Sequence, residues 1–271
     1  RLKNKSEFLS FTIDLAKKAG TIQLSYFGNI SSIEKKSSNI DLLTKADIES
    51  EKLIISKIKE RYPNHSIISE ESKTYLKDSK YTWIIDPLDG TTNFAHNLPI
   101  FAVSIALMKE DKIIMGVVYN PAADKCFYAE LDRGAFLNDK LIQPSNTEML
   151  SDCLLATGFP YLHDKKYDLS FKIFKDFYDQ TRGLRRLGAA ALDLCFVAMG
   201  RFDGFYEYNL NTWDICAGAL IASESGCKVS DWDGKEFPKD GSRILCTNSK
   251  IQNKMIEILT KPQYKIYFNL S

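Results

Sequence analysis

The sequence predicts a mixed fold, α+β in its first part and α/β in its second, on three observations. Two helical periodicities open the chain, a dense run of short apolar strands follows from Ile67 to about Asn138, and strands and helices alternate after about residue 150. No linker, repeat or low-complexity stretch separates the parts, roughly 1–145 and 146–271, so a single domain over 1–271 is expected.

Each element has a local reason. Ser6 caps a first helix in which Phe8, Phe11, Leu15, Ala19, Ile22 and Tyr26 recur at spacings of three and four, and Gly28 ends it. The polar stretch Ser31–Asn39 reads as a loop. A second helix runs from near Thr44 to before Pro63. Ser66–Ser69 and Trp83–Ile85 read as buried strands. Phe101–Met108, Ile113–Tyr119, Cys126–Glu130 and Ala135–Asn138 follow at hairpin spacing and predict an antiparallel meander. Further on come strands at Leu154–Thr157, Phe202–Tyr206, Lys228–Ser230 and Ile244–Thr247. Helices are expected at Tyr167–Tyr178, Ala189–Met199, Trp213–Ser225 and Lys250–Leu259.

Composition excludes several classes. Lys+Arg 36 against Asp+Glu 35 leaves a net charge of +1, which gives no general electrostatic case for nucleic acid or an anionic membrane. No apolar stretch is long enough to span a bilayer, and the basic start runs into a helix rather than a signal peptide. Cys126, Cys153, Cys195, Cys216, Cys227 and Cys246 lie in apolar surroundings without C-x-x-C spacing. They are expected to be reduced core residues of a cytoplasmic protein. His65, His96 and His163 do not fall at zinc-ligand spacing from them.

The chemistry concentrates in Trp83-Ile84-Ile85-Asp86-Pro87-Leu88-Asp89-Gly90-Thr91-Thr92-Asn93-Phe94. An apolar strand delivers Asp86 to its end, and a turn at Pro87 and Gly90 is expected to bring Asp89 back beside it. Crowded carboxylates repel unless a cation lies between them, and hard oxygen ligands suit Mg²⁺. Gly90-Thr91-Thr92 then offers backbone N–H groups to a phosphate. Taken singly, Asp-Gly is also an ordinary turn dipeptide, Glu70-Glu71 a solvated loop, Asp214 a first-turn acid, and Thr44-x-x-Asp47 a capping box.

Together these segments closely resemble the inositol monophosphatase family. Asp86–Phe94 is similar to its metal-binding signature, and Trp213-Asp214-Ile215-Cys216-Ala217-Gly218-Ala219-Leu220 to a second one. The resemblance extends to Asp41–Asp47, Ser69-Glu70-Glu71 and Gly188–Asp193, in the family's order over about residues 8–260. It implies a five-layered αβαβα sandwich and a phosphatase that releases phosphate from a small sugar or polyol phosphate with two or three Mg²⁺ ions. By resemblance, Glu70, Asp86, the Leu88 carbonyl, Asp89 and Asp214 are the metal ligands, with Glu70 also facing a third, weaker ion. Thr91, bonded to Asp47, is implied to orient or deprotonate the attacking water, which a metal activates. The N–H groups of Gly90 and Thr91 are implied to hold the phosphate. Gly188, Ala189, Ala190, Glu207 and Asp214 are implied to meet the substrate. Glu207 accepts from hydroxyls and repels a second phosphate, which favours a monophosphate. Ala189 stands where many relatives carry Ser or Thr, and Cys227 where glycine is usual. Lithium inhibition is also implied.

Within the family, phosphatases for fructose bisphosphate, histidinol phosphate and 3′-phosphoadenylated nucleotides are the alternatives. Arg182–Gly188 most resembles the bacterial inositol monophosphatase branch. Some of that branch act through RNA polymerase or RNA, and Arg182, Arg185 and Arg186 form a basic group suited to that role. A salt-bridged homodimer surface is the favoured reading of those arginines. The tail Lys261–Ser271 resembles nothing in the family.

Overall fold

The computed structural model describes residues 5–28, 33–35, 42–72, 74–160, 164–266 and 268–269, with only the backbone of 33–35 and 42–44. The first part contains α1 (Glu7–Tyr26), β1 (Ile33–Lys35), β2 (Leu42–Thr44), α2 (Lys45–Arg61), β3 (Ser66–Ser69), β4 (Tyr81–Asp89) and α3 (Thr91–Ala95). The meander follows as β5 (Ala102–Lys109), β6 (Lys112–Asn120), β7 (Lys125–Glu130), β8 (Ala135–Leu137) and β9 (Lys140–Leu141). The second part holds β10 (Leu154–Thr157), α4 (Lys165–Tyr178), β11 (Gly183–Arg185), α5 (Ala190–Ala198), β12 (Gly204–Tyr208) and α6 (Thr212–Ser225). It closes with β13 (Lys228–Ser230), β14 (Arg243–Thr247), α7 (Gln252–Leu259) and α8 (Pro262–Lys265).

Five layers result. Strands β1 and β2 pair by themselves, and the other strands of the first part form a seven-stranded sheet in the order β3-β4-β5-β6-β7-β8-β9. Its β3–β4 pair is parallel and its remaining pairs are antiparallel. Those of the second form a five-stranded sheet, β11-β10-β12-β14-β13, parallel over its first three strands. Leu15, Ile54, Ile58 and Trp83 are core residues between α1, α2 and the first sheet. Leu194, Ile215, Phe127 and Phe205 close a second core, where α5 and α6 lie between the sheets. Ile173, Phe177 and Met255 close a third, under α4 and α7. Helix α6 approaches β6 so closely that a methyl on Gly116 would lie 2.8 Å from the Ala217 carbonyl oxygen. That contact fixes the height at which α6 presents its first turn.

Most elements lie where the sequence placed them. The Ser6 hydroxyl accepts the Leu9 N–H at 3.1 Å, as a helix cap should. Within the stretch expected to be a loop, Ile33–Lys35 is a strand paired with β2. The rest of that stretch, and the Thr44 side chain of the expected capping box, lie outside the described residues, as does His163. The tail packs: Tyr264 and Phe268 are buried, with the Phe268 ring 4.8 Å from Trp232 and 4.9 Å from Tyr208. All six cysteines are buried and unpaired. Among the described residues, no helix is long and apolar enough to cross a membrane.

Candidate active site

Strand β4 does not turn at Pro87, as the sequence suggested. It runs on through Pro87 to Asp89, with a bulge in place of the turn: Asp86 pairs with Ser104 and Asp89 with Ala102, so three steps on β4 oppose two on β5. Side chains three apart on a regular strand face opposite ways, and one extra residue restores them to the same side. A proline fits there because its missing N–H is not needed by the ladder. Its carbonyl is held from α1, where Gln23 Nε2 donates to it at 2.6 Å. Beyond the bulge Gly90 adopts φ +88°, with the Ile100 carbonyl oxygen 2.8 Å from where a Cβ would stand, so glycine is required on both counts.

A cleft of about 520 Å³ opens beside this bulge. Glu70, Asp86, Asp89, Glu207 and Asp214 line it, with Leu88, Gly90, Thr91, Gly188, Ala189 and Ala190. Of the catalytic, substrate and metal residues expected from sequence, only Asp47 is absent from the lining. It is fully buried in the first turn of α2, and its charge raises the Asp86 carboxyl; the implied Thr91–Asp47 hydrogen bond is not made, because the Thr91 hydroxyl donates to the Leu88 carbonyl instead.

Three segments place Glu70, Asp86, Asp89 and Asp214, with Asp86 and Asp89 both on β4. Glu70 follows β3, on a loop gripped by Glu51 of α2, whose carboxylate accepts the hydroxyls of Ser69 and Ser72 and the N–H groups of Glu71 at 3.1 Å and Ser72 at 3.0 Å. Asp86 Oδ1 accepts the Leu88 N–H at 3.0 Å, and the Thr91 hydroxyl donates to the Leu88 carbonyl at 3.1 Å. Asp89 Oδ2 accepts the Ala191 N–H at 2.9 Å, in the first turn of α5. Asp214 Oδ2 accepts the Asn211 N–H at 2.6 Å, closing a capping box at the start of α6. Asn93 ties α3 to the segment before Gly188 by donating to the carbonyls of Ile100 at 2.9 Å and Leu187 at 2.7 Å.

Burial is the first cause that pushes the Asp86 carboxyl well above the usual carboxylate range, followed by the charges of Glu70, Asp89, Asp214 and Asp47. Asp89 is raised in the same way by burial and then Asp214, against the Ala191 hydrogen bond that lowers it. Burial pushes Glu207 up to about 8, against the opposing charge of Arg186. Among the described residues, no three His, Cys, Asp or Glu side chains stand as a closed ligand cluster. The donor set nevertheless fits a hard divalent cation. It consists of oxygens only, Asp86 and Asp89 are buried with Glu70 and Asp214 half-buried, and its mutual repulsion is what a cation relieves.

All three arginines of the basic group are exposed, with different surroundings. Exposed Arg182 pairs with Asp152 at 3.4 Å, Arg185 donates to the Leu184 carbonyl at 3.0 Å, and Arg186 is the one Lys or Arg among the residues that line the cleft. Sequence reasoning also missed Glu51 and the Gly158-Phe159-Pro160 wall of the cleft. Gly158, directly after an expected strand, was the available signal.

Comparison with known proteins agrees with this architecture. The sequence profile of the inositol monophosphatase family matches residues 4–264. The chain is 42% identical over 248 residues to an inositol-1-monophosphatase of Synechocystis sp., covering 91% of this chain and 86% of that protein. It is 41% identical over 255 residues to a putative Nus factor SuhB of Neisseria meningitidis serogroup B, covering 93% and 98%. The crystal structure of the extragenic suppressor protein SuhB from Bartonella henselae superposes with a TM-score of 0.90 at 37% identity, over 95% of this chain and 100% of that one. The chain therefore belongs to the inositol monophosphatase family and is, like its members, a phosphatase that hydrolyses phosphomonoesters.

Proposed function

We propose that the chain, acting as one catalytic domain, hydrolyses a small hydroxyl-rich phosphomonoester, inositol monophosphate above all. In this reading Glu70, Asp86, the Leu88 carbonyl, Asp89 and Asp214 hold two or three Mg²⁺ ions. The observation that carries it is the bulge, which turns Asp86 and Asp89 to one side of β4 in a cleft that Glu70 and Asp214 also line. When bound, the metal supplies charge neutralisation for the phosphate and an activated water.

The chain's own groups do the rest. The Thr91 hydroxyl, released from the Leu88 carbonyl, orients the water and relays its proton to the Asp47 carboxylate. The Gly90 and Thr91 N–H groups hold the phosphoryl oxygens. Ala191 keeps the Asp89 carboxylate aimed by its hydrogen bond. Gly188, Ala189 and Ala190 carry no polar side-chain atoms, so they set shape, and Glu207 accepts hydrogen bonds from the substrate's hydroxyls. Positioning and charge suffice for in-line attack without a covalent intermediate. The test is inorganic phosphate release from a panel of inositol phosphate, fructose bisphosphate, histidinol phosphate and a 3′-phosphoadenylated nucleotide. Inositol phosphate is expected to give the highest kcat/KM, and a higher value for another member reassigns the substrate.

A second reading, a regulator acting through RNA polymerase or RNA, is favoured by similarity to proteins called Nus factor SuhB. Arg182 is paired with Asp152 and Arg186 lines the cleft, which counts against a basic docking patch. Binding without turnover would support it. Homodimerisation, a cytoplasmic setting and lithium inhibition belong to the phosphatase reading and are proposed with it.

A further inference from the structure

Glu207 rests in a slot. Strands β10 and β12 run parallel with Thr157 opposite Tyr206, and the Thr157 hydroxyl donates to the Tyr206 carbonyl at 2.8 Å. One step further along the same register, Gly158 meets Glu207. A methyl built on Gly158 would stand 2.0 Å from Glu207 Oε1, 2.2 Å from Cδ and 2.3 Å from Oε2. All three atoms belong to the carboxylate, which therefore lies flat against the glycine α-carbon. The Gly158 backbone is outside the left-handed region, so the nearest obstacle to a side chain here is the Glu207 carboxylate, which must move to admit one. The strands cannot part to admit a side chain, because their pairing and the Thr157 hydrogen bond hold them together.

We infer that Gly158 is a specificity-determining residue, whose missing side chain is the recess that holds the Glu207 carboxylate back and keeps the cleft wide enough for a ring-shaped polyol phosphate. The inference rests on the reading of Glu207 as the acceptor of substrate hydroxyls. Any side chain at 158 drives the carboxylate into the cleft, where a cyclic polyol meets it and a three-carbon polyol does not. Gly158 acts through Glu207 and is a positioning residue.

The test is a double-mutant cycle. Gly158→Ala should lower kcat/KM on inositol monophosphate about tenfold or more, mainly through KM, and on glycerol phosphate about threefold or less. Glu207→Asp, which withdraws the carboxylate by one methylene, should restore most of that ratio in the Gly158→Ala protein. Melting temperature reads the same contact without substrate: Gly158→Ala should lower it in the wild-type background and not in the Glu207→Ala background. Equal losses on both substrates, or equal falls in melting temperature in both backgrounds, overturn the inference, as does a Gly158→Ala protein that is unfolded with either residue at 207. If Glu207→Ala alone leaves the substrate preference unchanged, the reading of Glu207 fails instead, and the melting cycle still decides the slot.

Discussion

Asp89 Oδ2 accepts the Ala191 N–H at 2.9 Å across 102 residues of sequence. This bond joins the bulged strand of the first sheet to the first turn of α5 in the middle layer, so the cleft exists only when both parts of the chain are assembled. The bond favours a charged carboxylate that burial and Asp214 disfavour. Asp89→Asn keeps an acceptor oxygen and removes the charge. It should raise the melting temperature of the metal-free protein and abolish most of the rise that Mg²⁺ produces in the wild type. Calorimetry with and without Mg²⁺ checks both effects, and an unchanged Mg²⁺ response argues against Asp89 as a ligand.

The pH dependence follows from the same crowding. Asp86 and Asp89 hold protons more tightly in the folded chain than in the unfolded one, and Glu207 does so up to about 8. The stability they contribute is complete below the usual carboxylate range and is lost as pH rises through the raised values. A cation competes with those protons, so it binds better as they leave. The metal-free melting temperature should fall between about pH 5 and 8, and the increment given by Mg²⁺ should grow over the same interval. An increment independent of pH would contradict the assignment of Asp86 and Asp89 as ligands.

Glu207→Gln tests hydroxyl recognition. Above about pH 8, where Glu207 is ionised, it removes a charged acceptor, worth about 1.5–3 kcal/mol, or about tenfold or more in kcat/KM. The loss should be large for inositol phosphate and small for an aryl phosphate, which has no hydroxyls to offer. An equal loss on both substrates would place Glu207 in support of the metal site.

The tail should matter to stability and not to chemistry. Phe268 packs on Trp232 and Tyr208, and Arg243 Nη1 donates to its carbonyl at 2.9 Å while the same guanidinium grips Asp231. Phe268→Ala should cost about 3–5 kcal/mol in denaturant unfolding. Its kcat/KM per folded molecule should match the wild type, and a stability loss below about 1 kcal/mol would mean the tail does not close the core.

Much of this was legible in the sequence because the signals were local. Helix periods, the Ser6 cap and the meander spacing each depend on a few neighbouring residues, and they located α1, α2 and β5–β8 closely. The acids were legible for the same reason, since each sits beside a strand end or a helix start. The bulge was not, because an extra residue in β4 is defined only by the partner strand β5. Glu51 was hidden inside a helix that reads as amphipathic, and it grips a loop about twenty residues later. Gly158 was invisible as a slot because its need for space comes from Glu207, almost fifty residues on, through strand register. The tail lacked any family pattern, so only packing could assign it.

If the Asp86–Asp89 bulge is a metal-dependent phosphatase site, turnover must follow the metal and the Asp86 carboxylate together. The most direct measurement is phosphate release from inositol monophosphate by chain stripped of divalent ions and then titrated with Mg²⁺, for wild type and Asp86→Asn side by side. The stripped wild type should be inactive and should recover saturably with Mg²⁺. Asp86→Asn should stay folded and lose at least about 99% of turnover at the same Mg²⁺, the scale expected when a group acting in the transition state is removed. Full turnover by either protein in stringently stripped buffer would contradict the account.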